Sequence, residues 1–219
     1  MTDHHDETAT HELRERWART LRAVTADAGV DPYPYADNLL GRWSEPQRKY
    51  HTVAHLTAVL DHIDVLEEHA EEPELVRLAA WFHDAVYRPD RSENEERSAA
   101  LAERALAEAG LAADAVAEVA RLVRLTVGHD PSDDDTNGEA LCDADLAILA
   151  SPAPAYAAYT KAVREEYAFV PVEAFREGRA AVLRQLLDLP RLFRTPYGRA
   201  HWESAARENL TAELDLLAP

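Results

Sequence analysis

Three short segments of this 219-residue chain place His or Asp where a helical pattern would otherwise carry Leu or Ala: Tyr50-His51-Thr52-Val53-Ala54-His55, Ala79-Ala80-Trp81-Phe82-His83-Asp84 and Leu141-Cys142-Asp143-Ala144-Asp145-Leu146. Ionisable groups are seldom buried unless they are paired or bind a metal. At 3.6 residues per turn, His51, His55 and His62 fall in one narrow stripe beside the apolar face of Leu56, Val59, Leu60 and Ile63, with His55 nearer that face than His51. Asp145 shares a face with Leu141, Ile148 and Leu149, whereas Asp143 points to the other side. His83 and Asp84 close the second helix, where neighbouring side chains can converge on one ion.

His55, His83, Asp84 and Asp145 together form a mixed nitrogen and oxygen donor set that suits one divalent ion: Mn, Mg, Fe, Co, Ni or Zn. Four protein ligands leave coordination positions for water and a phosphate oxygen. Such a metal polarises phosphorus and lowers the pKa of water, which is the chemistry of phosphate-ester hydrolysis.

The elements that must position these residues are helices. Ala, Leu, Glu and Arg recur throughout and there are only 7 Gly, a composition that favours an all-α fold. Residues 1–10, with His4 and His5, read as a flexible polar tail. A helix is expected from about His11 to Ala28, stopped by Gly29, and a short one around Ala36 to Trp43 follows the turn Asp31-Pro32-Tyr33-Pro34. A long helix from the His51 segment to about His69 precedes one that starts near Pro73. Ser92 and Glu95 form a capping box for a helix ending at Gly110, and Asp114 and Asn137 are expected caps of the next two. The run between Asp130 and Gly138 reads as a solvated acidic loop. Ser151-Pro152 opens another helix, and stretches near 171–188 and 197–217 bring the count to about ten. One helical bundle over residues 11–219 is the expected domain.

Four motifs in order, Arg48-Lys49-Tyr50-His51-Thr52-Val53-Ala54-His55, Ala80-Trp81-Phe82-His83-Asp84-Ala85-Val86-Tyr87, Asn94-Glu95-Glu96-Arg97-Ser98-Ala99 and Asp143-Ala144-Asp145-Leu146, resemble a family of HD-superfamily metal-dependent phosphohydrolases of about this length. Thr195-Pro196-Tyr197 and Ala206-Arg207-Glu208-Asn209-Leu210 look like that family's ending, so the likeness covers nearly the whole chain after the tail. It implies a single HD-domain helical bundle, and it implies His55, His83, Asp84 and Asp145 as metal ligands. A His-Asp pair alone says little, since His129-Asp130 repeats it. The resemblance also implies an acidic residue near the attacking water about a dozen positions after the His-Asp pair; because capping accounts for Glu95, Glu96 is the expected one.

His51 and His129 are further candidates for proton transfer. Phosphate needs cationic partners, for which Arg48, Lys161 and Arg164 are the candidates. The implied reaction is hydrolysis of a small-molecule phosphomonoester, such as a nucleotide, by metal-activated water. Two alternatives stand beside it: a di-iron oxygenase, for which extra His ligands would be the mark, and a metal-stabilised binding or regulatory protein without turnover.

Composition narrows the partners. The formal net charge of −18 disfavours nucleic acid and acidic membranes. No apolar run approaches the roughly 20 residues of a membrane span, and Cys142, the single cysteine, forms no intrachain disulfide. The chain reads as cytoplasmic. Leu210, Leu214 and Leu217 either cap the core or form a homodimer face.

Overall fold

Helix follows the sequence wherever apolar residues recur at three- and four-residue spacing. The computed structural model describes residues 3–217, with side chains from Thr8 onward; the side chains of His4 and His5 lie outside the described residues. The elements are α1 Asp3–Val24, α2 Tyr33–Trp43, α3 Val53–Leu66, α4 Pro73–Phe82, α5 Asn94–Glu108, α6 Ala113–Leu125 and α7 Thr136–Leu146, then a 3₁₀ turn Ala147–Ala150, α8 Ala153–Glu166, α9 Val172–Asp188, α10 Pro196–His201 and α11 Glu203–Leu217. The described residues contain no strand, and the all-α expectation holds. None of these helices is long and apolar enough to cross a membrane.

Several boundaries depart from the sequence reading, each for a local reason. Helix α1 begins at Asp3, inside the segment read as a tail, and ends at Val24 rather than Ala28. The Ser92 and Glu95 capping box does not form: Glu93 precedes α5 and makes no side-chain cap. Buried Asn94 organises that start instead, accepting from the Arg88 amide and donating to the Arg88 and Arg91 carbonyls. Asp114 lies inside the first turn of α6, after Ala112. Asp135, not Asn137, caps α7 by accepting the Gly138 amide, so the last residue of the acidic run is a cap rather than a solvated charge. A Cβ on Gly138 would collide with that carboxylate and with Leu125, which fixes glycine there. The stretch expected as one helix over 197–217 breaks at Trp202.

Two apolar clusters result. The larger joins α1 to α7 around Trp17, Trp43, Trp81 and Phe82, all fully or almost fully buried. The smaller joins the 3₁₀ turn, α8, α9 and α11 around Leu149, Leu183, Phe193 and Leu210. Leu214 and Leu217 pack against this second cluster, and Trp202 packs against both. The candidate site sits where α8 meets the first cluster.

Candidate metal centre

Helix α3 carries His55 on its buried face beside Leu56, Val59 and Leu60; α4 delivers His83 as its C-cap; and α7 presents Asp145 one residue before its end. Asp145 Oδ1 lies 3.1 Å from His55 Nε2 and 3.7 Å from His83 Nε2, and the two Nε2 atoms are 3.4 Å apart. One ligand atom from each of the three residues falls within 4.8 Å of the other two. Asp84 stands beside this trio, with Oδ2 3.5 Å from His83 Nε2 and 3.7 Å from His51 Nε2.

The donor chemistry fits a cation. His83 Nδ1 donates to the Ala80 carbonyl at 2.7 Å, so in the neutral ring the Nε2 lone pair faces His55, Asp84 and Asp145. Lone pairs and carboxylates converging in a nearly dry site repel unless a proton or a metal lies among them. Burial alone would raise the Asp145 carboxyl; the neighbouring His83 and hydrogen bonds from His129 and His55 instead hold it well below the ordinary range. Burial pushes the His55 imidazole down, toward the neutral form that ligates metals. The rings are braced by Trp43, 5.3 Å from His83 and 6.1 Å from His55 between centroids, itself anchored by its indole N–H on the Trp81 carbonyl.

Two further histidines border the trio. His129 has φ 49, a left-handed conformation uncommon outside glycine, and its Nε2 reaches Asp145 Oδ2 at 2.7 Å. Burial would lower its pKa, but the Asp145 hydrogen bond and charge, with Asp84 and Glu95 behind them, raise it. His51 does not lie on the α3 stripe; it precedes the helix, before the N-cap Thr52. There Glu166, from the end of α8, takes its Nδ1 at 2.7 Å and accepts the Tyr87 hydroxyl at 3.0 Å.

Four expected residues are not brought into the site. Glu96 is exposed and held in a fork by Arg124, and Glu95 is the acid whose charge reaches His129. Arg48 is a buried brace rather than a phosphate ligand: its guanidinium lies over the Trp43 and Tyr87 rings and donates to the His51 and Ala85 carbonyls. Lys161 is solvent-exposed beside Glu165. Arg164 ties down the α8 C-terminus through the Tyr167 and Val170 carbonyls and covers Phe175. Asp143 points away, as its register implies, and accepts the Arg194 and Thr195 amides.

Glu166 was not singled out in the sequence. It shares a stripe with Tyr156, Tyr159 and Val163, at spacings of three and four along α8, so an acid on an otherwise apolar face was the available signal. No family model, curated protein or solved structure matches this chain.

Proposed function

We propose that this protein is an HD-type metal-dependent phosphohydrolase acting on phosphomonoesters. The convergence of His55, His83 and Asp145 on one buried point, with Asp84 alongside, carries this reading. A divalent ion held there supplies the Lewis acidity that draws electron density from phosphorus and acidifies a water molecule.

The surrounding residues suit the proton transfers. With Glu166 accepting from Nδ1, His51 turns Nε2 toward Asp84 and is oriented to take a proton from the attacking water. Neighbouring carboxylates favour the protonated forms of both His51 and His129, and His129, on the opposite oxygen of Asp145 from His55, is placed to give a proton to the leaving oxygen. With Arg48 engaged in the core, a divalent ion held by His55, His83 and Asp145 would supply positive charge to the phosphate. The decisive experiment loads the purified chain with Mn, Mg, Fe, Co, Ni or Zn in turn and measures phosphate release from a panel of monoesters. Release that disappears in His83→Ala and Asp145→Ala is expected; turnover that survives both would overturn the reading.

One observation favours a second reading. His51 Nε2 and Asp84 Oδ2, 3.7 Å apart, offer donors for a second ion, the arrangement a di-iron oxygenase needs. Two irons per chain with O₂ consumption and no phosphate release would move the protein to that class.

A further inference from the structure

Two of the four metal-ligand candidates, His55 and Asp145, line a small groove, and none of the four lines the larger cleft. The cleft, of about 830 Å³, carries Arg42, Arg88 and Arg97 but touches none of the four metal-ligand candidates; Tyr87 and Glu166 lie in its wall. The groove, of about 280 Å³, has His55 and Asp145 in its lining. Its two walls are alanine: Ala54 and Ala58 from α3 face Ala155, Ala158 and Ala162 from α8, with Ile148 between. Ala54, Ala155 and Ala158 are exposed, so the groove is open to solvent. Tyr50 and Tyr159, in edge contact at 4.7 Å between ring centroids, complete it next to His55.

The groove offers little to a polar ligand. Lys49 Nζ is turned to the Pro46 carbonyl, Thr52 Oγ1 to the Tyr50 carbonyl and His62 Nδ1 to the Ala144 carbonyl. A nucleoside laid there would lose water from its base edge and ribose hydroxyls and regain few partners beyond the other Lys49 N–H groups and the Tyr50 and Tyr159 hydroxyls, whereas an apolar ring loses nothing of the kind. The volume lies at the small end for organic-ligand pockets, below the roughly 300 Å³ at which they usually begin.

We infer that the groove binds the organic part of the substrate and that this part is a small aromatic alcohol, making the substrate an aryl phosphomonoester rather than a nucleotide. The inference rests on the phosphohydrolase reading for the position of the phosphoryl group at His55 and Asp145. In the reaction, water oxygen bonds to phosphorus, the bond from phosphorus to the aryl oxygen breaks with its electron pair on that oxygen, and the proton given up by water ends on the released phenol.

The test uses the full-length, metal-loaded protein and non-hydrolysable ligands, with binding measured by calorimetry. Phenylphosphonate is expected to bind at least about tenfold more tightly than methylphosphonate, from the apolar surface the ring removes from water. Ala158→Leu and, separately, Ala155→Leu narrow the groove from exposed helix positions, and each is expected to bring the two affinities within about twofold while metal content confirms the fold. A wild-type preference below about threefold, a preference that survives both variants, or tighter binding of the non-hydrolysable phosphonate analogue of AMP than of phenylphosphonate would overturn the inference. Phosphate release separates it from the reading beneath it. Selective phenylphosphonate binding without hydrolysis of phenyl phosphate sinks the hydrolase and keeps the groove's ligand class; hydrolysis of AMP without an aryl preference sinks the groove and keeps the hydrolase.

Discussion

Glu166 holds His51 twice, through the side chain and through the backbone: Oε2 lies 2.7 Å from Nδ1, and Oε1 accepts the His51 amide at 3.0 Å together with those of Lys49 and Tyr50 at 2.7 and 2.8 Å. The segment between α2 and α3 is thereby shaped by a carboxylate more than a hundred residues further along the chain.

Acid sensitivity follows from this pairing. Burial would raise the Glu166 carboxyl, but the His51 imidazole and the Lys49 and His51 amides lower it to about 2. A carboxyl whose folded pKa is depressed stabilises the fold above its unfolded value of about 4.3 and loses that contribution as the pH falls toward the folded value, here on the order of 3 kcal/mol. Urea denaturation between pH 6 and pH 2.5 is expected to show a steeper loss for the wild type than for Glu166→Gln, which should be about 2 kcal/mol less stable at neutral pH. Parallel pH profiles would contradict the assignment.

Arg48 gives a prediction of the opposite kind from the one its position in the sequence suggests. Its side chain is completely buried, with ring contacts at 5.2 and 5.4 Å to Trp43 and Tyr87. Arg48→Ala should lower stability by about 3 kcal/mol in chemical denaturation, since it empties a core position and leaves the His51 and Ala85 carbonyls without their donors. Unchanged stability with weakened substrate binding would return Arg48 to the role of a phosphate ligand.

Asp143 and Asp145 should separate cleanly. Asp143 accepts from the Arg194 and Thr195 amides and the Thr195 hydroxyl, and Gly198 passes so close that an added Cβ would stand 2.6 Å from its Oδ2. Asp143→Ala is expected to cost about 2–4 kcal/mol and keep the metal; Asp145→Ala is expected to lose the metal. Elemental analysis of both purified variants, beside their melting curves, checks the pair.

Metal linkage offers a check independent of turnover. At a free-metal concentration 100 times the dissociation constant, the folded state should gain about 2.7 kcal/mol, visible as a higher Tm that chelator abolishes. His83→Ala should show no such response, because it removes the ring whose lone pair faces the other ligands.

The all-α fold class and the placing of His55 and Asp145 on buried helix faces were legible in the residues because both depend on local periodicity, whereas His83 enters the candidate site as the cap of α4. The stripe of Leu56, Val59, Leu60 and Ile63 buries one face of α3, and His55 rides on it; Leu141 and Ile148 do the same for Asp145, and register alone turns Asp143 the other way. The partners of these residues come from distant parts of the chain, and periodicity carries no information about them. The same cation that could grip phosphate, Arg48, is consumed by two aromatic rings, while Arg164 and Lys161 face their own helix end and solvent. Glu95 and Glu96 are adjacent, yet the packing of α5 against α6 gives Glu96 to Arg124 and leaves Glu95 to act on His129. Which charges are free for chemistry is settled by which neighbours tertiary packing supplies, since a buried ionisable group takes its partner and its pKa from contacts that sequence spacing does not encode.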